Sequence, residues 1–270
     1  MSMATASEAP PISSWTLRFF THVVRRYFRK HFRSVLVQHG QRLQHTKGPL
    51  IVYLNHSSWW DPMVGVLLAR TLLPERNHYA PMDAAELKRY AILRKVGLFP
   101  VETGTARGAA QFLHGSQRVL RDGGVLWVTP QGRFADVRES PLAFKEGLAA
   151  LILRMGGATV VPLAIEYTFW DERLPEVLVR FGEPAYLEAG GTAELTHKLE
   201  AALAAEMLEL QKSSLARDSR MFEVLLTGGR GTGGFYSIGM RLRAIFAGKK
   251  DDLDHTARAE NGTAARPRCE

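Results

Sequence analysis

Asn55-His56-Ser57-Ser58-Trp59-Trp60-Asp61 places an imidazole and a carboxylate five residues apart. The segment comes directly after Leu50-Ile51-Val52-Tyr53-Leu54, a short apolar run rich in strand formers. A turn at that point brings the Asp61 carboxylate against one nitrogen of His56. The carboxylate then fixes the tautomer and stabilises the charged ring, and the other nitrogen is left to take a proton. This is the base and orienter of a triad without a protein nucleophile, so a hydroxyl of the substrate would make the attack. A surface histidine beside a helix-capping aspartate has the same spacing, and spacing alone does not choose between the two readings. Ser57 and Ser58 do not sit in a Gly-x-Ser-x-Gly elbow, which argues against a hydrolase of that class. Either serine can cap the helix that starts near Trp59.

The elements that must position this pair alternate along the chain. Strands are expected at 50–54, 78–80, 98–101, 125–129, 159–165 and 177–181. Helices are expected at 60–72, 84–96, 105–121, 142–155 and 192–216. Pro162 argues for an edge or irregular position of its strand. Such alternation predicts an α/β fold with a mixed, largely parallel central sheet flanked by helices, preceded by a basic amphipathic helix. The expected divisions are a disordered stretch over 1–13, an amphipathic helical segment over 14–47, an α/β domain over 48–247 and a disordered tail over 248–270. Gly228 to Gly234 lacks the Gly-Lys-Ser/Thr ending of a phosphate loop and reads as a mobile loop. Phe235 to Phe246 reads as a second basic amphipathic element.

Composition narrows the partners. The chain has 270 residues, 46% of them hydrophobic, enough for one substantial core. Its one cysteine, Cys269, allows no internal disulfide. The histidines and acids form no metal-ligand spacing, so neither a metal nor a bound cofactor is expected. The net charge is +8, and no acidic residue lies between Glu8 and Asp61. Arg18, Arg25, Arg26, Arg29, Lys30, Arg33, Arg42 and Lys47 fall in that stretch. The helix is expected to run to about residue 38, with Leu17, Phe20, Val24, Tyr27, Phe28, Val35 and Leu36 on its apolar side and arginines opposite. Such a helix can lie in an anionic membrane surface or pack on the domain, or do both. No motif for nucleic-acid binding accompanies it. No run is long and apolar enough to span a bilayer, and the N-terminus does not read as a secretory signal. The expected location is peripheral, on the cytoplasmic face of a membrane.

The motif and the segments C-terminal to it resemble the lysophospholipid (1-acylglycerol-3-phosphate) acyltransferase family. The first family block is Asn-His-x4-Asp, here Asn55 to Asp61. The second, a glycine and an aromatic with an arginine beyond them, is similar to Gly97-Leu98-Phe99-Pro100-Val101-Glu102, with Arg107 nearby. The third, Phe-Pro-Glu-Gly-Thr-Arg, is similar to Thr129-Pro130-Gln131-Gly132-Arg133-Phe134, and Phe144-Lys145-Glu146-Gly147 resembles the Phe-Lys-x-Gly beyond it. The fourth, a Val-Pro pair in a strand, is similar to Val161-Pro162. The blocks fall in the family's order over residues 49–165.

The resemblance implies that the domain is an acyltransferase in which His56 is the general base and Asp61 its partner. They would activate a hydroxyl of a lyso-lipid or related lipid to attack the thioester of acyl-CoA or acyl-carrier protein, which serve as co-substrates. It also implies binding roles for Asn55, Ser58, Trp59, Trp60, Phe99, Glu102, Arg107, Gln131, Gly132, Arg133 and Lys145. Trp59, Trp60, Phe99 and Phe134 are the expected lining of an acyl channel. Backbone N–H groups near Gly132, or Arg133, are the expected oxyanion donors. The family links its second-block arginine and third-block Glu and Arg to an acceptor phosphate. Glu102 and Gln131 depart from that pattern, which points to an acceptor without phosphate or with a different substituent. Two other classes share these residues: a membrane-associated lipid-binding or scaffolding protein with reduced turnover, and a thioester hydrolase.

Overall fold

The computed structural model describes residues 9–44 and 46–229. The amphipathic reading of Phe235 to Phe246, the tail from Gly248 and most of the Gly228–Gly234 loop lie outside those residues.

The first helix, α1 (Ser14–His31), is capped by the Ser13 side chain, which accepts from the Thr16 N–H. Arg29, Lys30 and His31 in its last turn complement the helix dipole. It does not run to residue 38. Phe32 is extended, and the five residues of β1 (Ser34–Gln38) are all buried in the sheet. Ser-Val-Leu-Val-Gln is a continuous run of strand formers, and burial on both faces hides the alternation that would have marked it. Val35 and Leu36 therefore belong to the core and not to a lipid-facing helix. The division at residue 47 fails for the same reason, because β1 pairs inside the sheet.

The remaining elements come in chain order: β2 (Leu50–Leu54), α2 (Asp61–Leu72), β3 (His78–Asp83), α3 (Ala84–Arg89), β4 (Leu98–Val101), α4 (Ala106–Arg121) and β5 (Val125–Val128). After them come α5 (Gly147–Met155), β6 (Ala158–Thr168), β7 (Glu176–Phe181), β8 (Ala185–Leu187), α6 (Thr192–Ala216) and β9 (Glu223–Thr227). One sheet runs β4-β3-β5-β2-β6-β7-β1-β9, with β8 paired to β6. The strands from β4 through β6 are parallel, β7 runs against β6, and β9 runs against β1. The fold is thus a mixed α/β sheet, largely parallel, with helices on its faces.

The period-2 pleat of β2 divides the core. Leu50, Val52 and Leu54 face α1 and α2 in one cluster, while Ile51 and Tyr53 face α4, α5 and α6 in the other. The chain leaves β2 through α2 on the first face and leaves β5 through α5 on the second. Crossovers on opposite faces open a crevice beyond the C-terminal ends of these strands, which is where α/β sheets bind ligands.

Several expectations need correcting. Residues 9–13 are not loose: the Ala9 N–H donates to Asp122 at 2.6 Å, the Ser13 N–H donates to Lys95 O at 2.9 Å, and Ile12 packs on the core. The helix expected over 84–96 is α3 and then a tighter turn at 91–96, broken at Tyr90. The helix expected from 142 starts at Gly147. The N–H groups of Ala143 and Phe144 instead donate to the Glu200 carboxylate of α6, at 3.1 and 3.3 Å. Pro162 is in a central strand. It falls between the segment of β6 paired to β8 and the segment paired to β7, so no partner on that side loses a donor.

Candidate functional site

Asn55 follows β2 directly and is buried. Its amide stands in for one more rung of the ladder: Nδ2 donates to Ile165 O and Oδ1 accepts from the Ile165 N–H, each at 2.9 Å. Asn55 therefore locks the end of β2 to β6. His56 comes next, with its main chain held on both sides. Its N–H donates to Gln131 Oε1 at 3.2 Å, and its carbonyl accepts from the Ala135 N–H at 2.8 Å. Gln131 is buried, so a neutral amide here sets the backbone of His56 and does not line an open pocket.

The chain then turns into α2. The Asp61 N–H donates to Ser58 O at 3.1 Å, and the Ser58 hydroxyl accepts from the Trp60 N–H at 3.2 Å. Asp61 occupies the first turn of α2, where the helix N-terminus favours negative charge. Its carboxylate is almost fully buried and meets three groups. Oδ2 lies 2.8 Å from His56 Nδ1 and 3.0 Å from the Ser58 nitrogen, and Oδ1 accepts from the Tyr167 hydroxyl at 2.6 Å. A main-chain N–H can only donate, so Asp61 acts as acceptor in this cluster. Nδ1 of a neutral His56 must therefore carry the proton, and the lone pair sits on Nε2. The carboxylate side chain is 1% exposed and the imidazole 18%, so the pair is buried at its orienting end and open at its reacting end. Phe134 lies tilted over the ring, with centroids 4.2 Å apart.

Tyr167 has no distinguishing signal in the sequence, where it reads as one more aromatic at a strand end. The only pointer is register: Leu54 pairs with Leu163, so residues four beyond each, Ser58 and Tyr167, emerge at the same edge. Burial, and then the Asp61 charge, push the Tyr167 phenol upward, so it remains a donor.

Other expected site residues are placed differently. Trp60 packs its indole edge-on to Phe28 of α1 at 5.6 Å and to Phe32, just beyond that helix, at 4.9 Å. Trp59 is exposed and touches Trp60 edge-on. Phe99 is buried under α4, and a Cβ on Gly115 would stand 2.8 Å from its ring. It is core, and the four aromatics expected to line one channel do not converge. Gly132 has a positive φ, with the Lys145 side chain lying across it. Its N–H donates to Thr129 O at 3.0 Å, so it is already committed and is not the expected oxyanion donor.

The arginines around the crevice are paired. Arg133 meets Glu139 through both terminal nitrogens, Arg138 meets Asp136, and Arg107 lies 3.5 Å from Glu102. Arg133 holds the Glu139 carboxyl below the usual carboxylate range. Glu102 comes directly after β4, three strands from β2, or roughly 14 Å at about 4.8 Å per strand. Glu102 and Arg107 thus form a second, outlying part of the edge, while Gln131, Phe134 and Ala135 of the loop after β5 contact His56.

Comparison with known proteins finds a family model and solved structures that are similar to this chain. Residues 35–166 match the family model described as Acyltransferase. The fold is similar to a solved structure titled 1-acyl-sn-glycerophosphate (LPA) acyltransferase, PlsC, from Thermotoga maritima. The TM-score is 0.55 and the identity 17%, over 72% of this chain and 79% of that one. No curated protein matches this chain.

Proposed function

We propose that the protein, whose residues 35–166 match an acyltransferase family model, transfers a fatty acyl group from acyl-CoA or acyl-carrier protein to a hydroxyl of a lyso-lipid or related lipid, with His56 as general base. The observation that carries this reading is the hydrogen bond between His56 Nδ1 and Asp61, in a cluster that gives a neutral His56 its proton on Nδ1 and its lone pair on Nε2. Nε2 takes the acceptor proton as the oxygen attacks the thioester carbonyl. Asp61 stabilises the imidazolium so formed. The tetrahedral intermediate collapses, the C–S bond breaks, and the thiolate leaves and takes the proton from the imidazolium. The products are ester and thiol, and the enzyme returns to its starting state without a covalent acyl intermediate.

The acceptor preference in this reading is for a hydroxyl without an adjacent phosphate. Arg133, Arg138 and Arg107 are each engaged by a carboxylate of the chain itself, and an apolar ring lies over His56. A phosphate would have to displace those carboxylates or sit beside them.

A peripheral seat on the cytoplasmic face of a membrane completes the proposal. Val24 and Phe28 of α1 pack inward, whereas Trp15, Phe19, Val23 and Tyr27, spaced four apart, stand in solvent. Trp15 is 69% exposed and Phe19 55%, which is unusual for aromatics on a domain surface. Arg18, Arg25 and Arg29 flank this stripe, as an anionic interface requires. No described helix is long and apolar enough to cross a membrane.

The test is an acyl-transfer assay in detergent that offers both donors against acceptors with and without phosphate, with products read by mass. Acylated products from phosphate-free acceptors support the reading. Product from lysophosphatidate alone removes the acceptor preference. Thioester loss without acylated product replaces the transferase with a hydrolase, and lipid binding without either leaves a scaffold.

A further inference from the structure

We propose that Tyr167 is a positioning residue for this reaction, its hydroxyl holding the Asp61 carboxylate in the one orientation that keeps His56 Nε2 free. The inference rests on the reading of His56 as base. A carboxylate has two oxygens and can turn about its own bond. In Asp61 the two are assigned different tasks: Oδ2 accepts from His56 and from the Ser58 N–H, and Oδ1 accepts from Tyr167. Asp61 is 2% exposed, so Oδ1 has little access to solvent in exchange for the phenol.

The phenol can perform this task because it is itself fixed. Tyr167 lies near the end of β6, paired to Val177 of β7, and its ring rests against Phe32 at 6.0 Å. The other anchor, the Ser58 N–H, is part of the turn that begins α2. The dyad is therefore held from two elements that meet only in the folded protein, the β6 strand end and the α2 turn. Without the hydroxyl, the carboxylate has an unpaired buried oxygen and can rotate to satisfy it. Rotation takes Oδ2 away from Nδ1 and releases the tautomer that the mechanism needs.

The experiment compares full-length Tyr167→Phe, His56→Ala and parent protein by steady-state acyl transfer. Proton NMR tracks the downfield Nδ1–H signal, assigned by its loss in His56→Ala. The expected result for Tyr167→Phe is a kcat at least about tenfold lower with KM within about twofold, and an Nδ1–H signal that is shifted or lost to exchange. Unchanged kcat overturns the proposal, and so does a lowered kcat with the signal unmoved, since that is what a packing role alone would give. If Tyr167→Phe does not fold, 3,5-difluorotyrosine at position 167 keeps the shape and strengthens the donor. A shifted Nδ1–H signal then supports the proposal and an unmoved one overturns it. Loss of activity in His56→Ala with normal Tyr167→Phe defeats this inference alone. Full activity in His56→Ala defeats the underlying reading as well.

Discussion

His56 and His78 sit at opposite ends of the parallel part of the sheet, one past the C-terminal end of β2 and one at the N-terminal end of β3, and the difference between them shows what makes a histidine reactive here. His78 opens β3. Its Nδ1 accepts from the Trp127 indole N–H at 3.0 Å, and its Nε2–H donates to Leu73 O at 2.8 Å. Both nitrogens are committed, and burial, first among the causes, lowers its pKa to about 4. His56 lies just past the end of β2 with one nitrogen committed to a carboxylate and the other open. The first arrangement uses imidazole as a neutral bridge in the core. The second uses it as a base, because a proton acceptor is left over and an anion is ready to meet the charge that results.

The comparison breaks most severely if Asp61 loses its charge. Asp61→Asn is expected to lower kcat on the order of a thousandfold, since an amide can donate to Nδ1 and turn the tautomer around. The corresponding loss at the other end, His78→Phe, should leave kcat within a few-fold, as measured on protein shown to be folded by circular dichroism.

Asn55→Ala comes next in size and acts on stability. It leaves the Ile165 N–H and carbonyl without their partner amide, a cost of about 2 kcal/mol for buried groups. Thermal melting should show a Tm lowered by roughly 4–8 °C.

The two histidines also separate by pH. His78 has a folded pKa below its unfolded value, so at acid pH the unfolded chain binds the extra proton. Its contribution to stability is complete above the ordinary histidine range and is lost as the pH falls from about 6.5 toward 4. Denaturant melts across that window should be shallower in His78→Phe than in the parent. An unchanged slope would remove His78 from the acid sensitivity.

Smaller effects sharpen the picture. Replacing Trp15 and Phe19 together by serine should weaken sedimentation with anionic vesicles severalfold and leave turnover of a detergent-dispersed acceptor unchanged. Ser57 Oγ is buried without a hydrogen-bond partner. Ser57→Ala should therefore be neutral or slightly stabilising, with kcat within about twofold.

The dyad is legible in the sequence because it is local: His56, Ser58 and Asp61 meet within one turn at a strand end. The alternation that builds the sheet is legible too. What depends on distant pairing is hidden. β1 passes for helix because a run buried on both faces has no period of its own, and only β7 and β9 reveal its neighbours. The strands β8 and β9 leave no mark because they are only three and five residues long and partly exposed, too short for a pattern to show. Tyr167 and the main-chain role of Gln131 come from strand register and from a loop that folds back on His56. Phe99 shows the opposite failure. Its family block suggests a lining residue, but Gly115 of α4 makes room for its ring in the core.

The most direct test of the account is turnover by His56→Ala with the thioester donor and acceptor that the parent protein uses. The account predicts a folded, lipid-binding protein whose rate of acylated product falls by roughly a hundredfold or more. Turnover equal to the parent would contradict it, because the open nitrogen that distinguishes His56 from His78 would then have no part in the reaction.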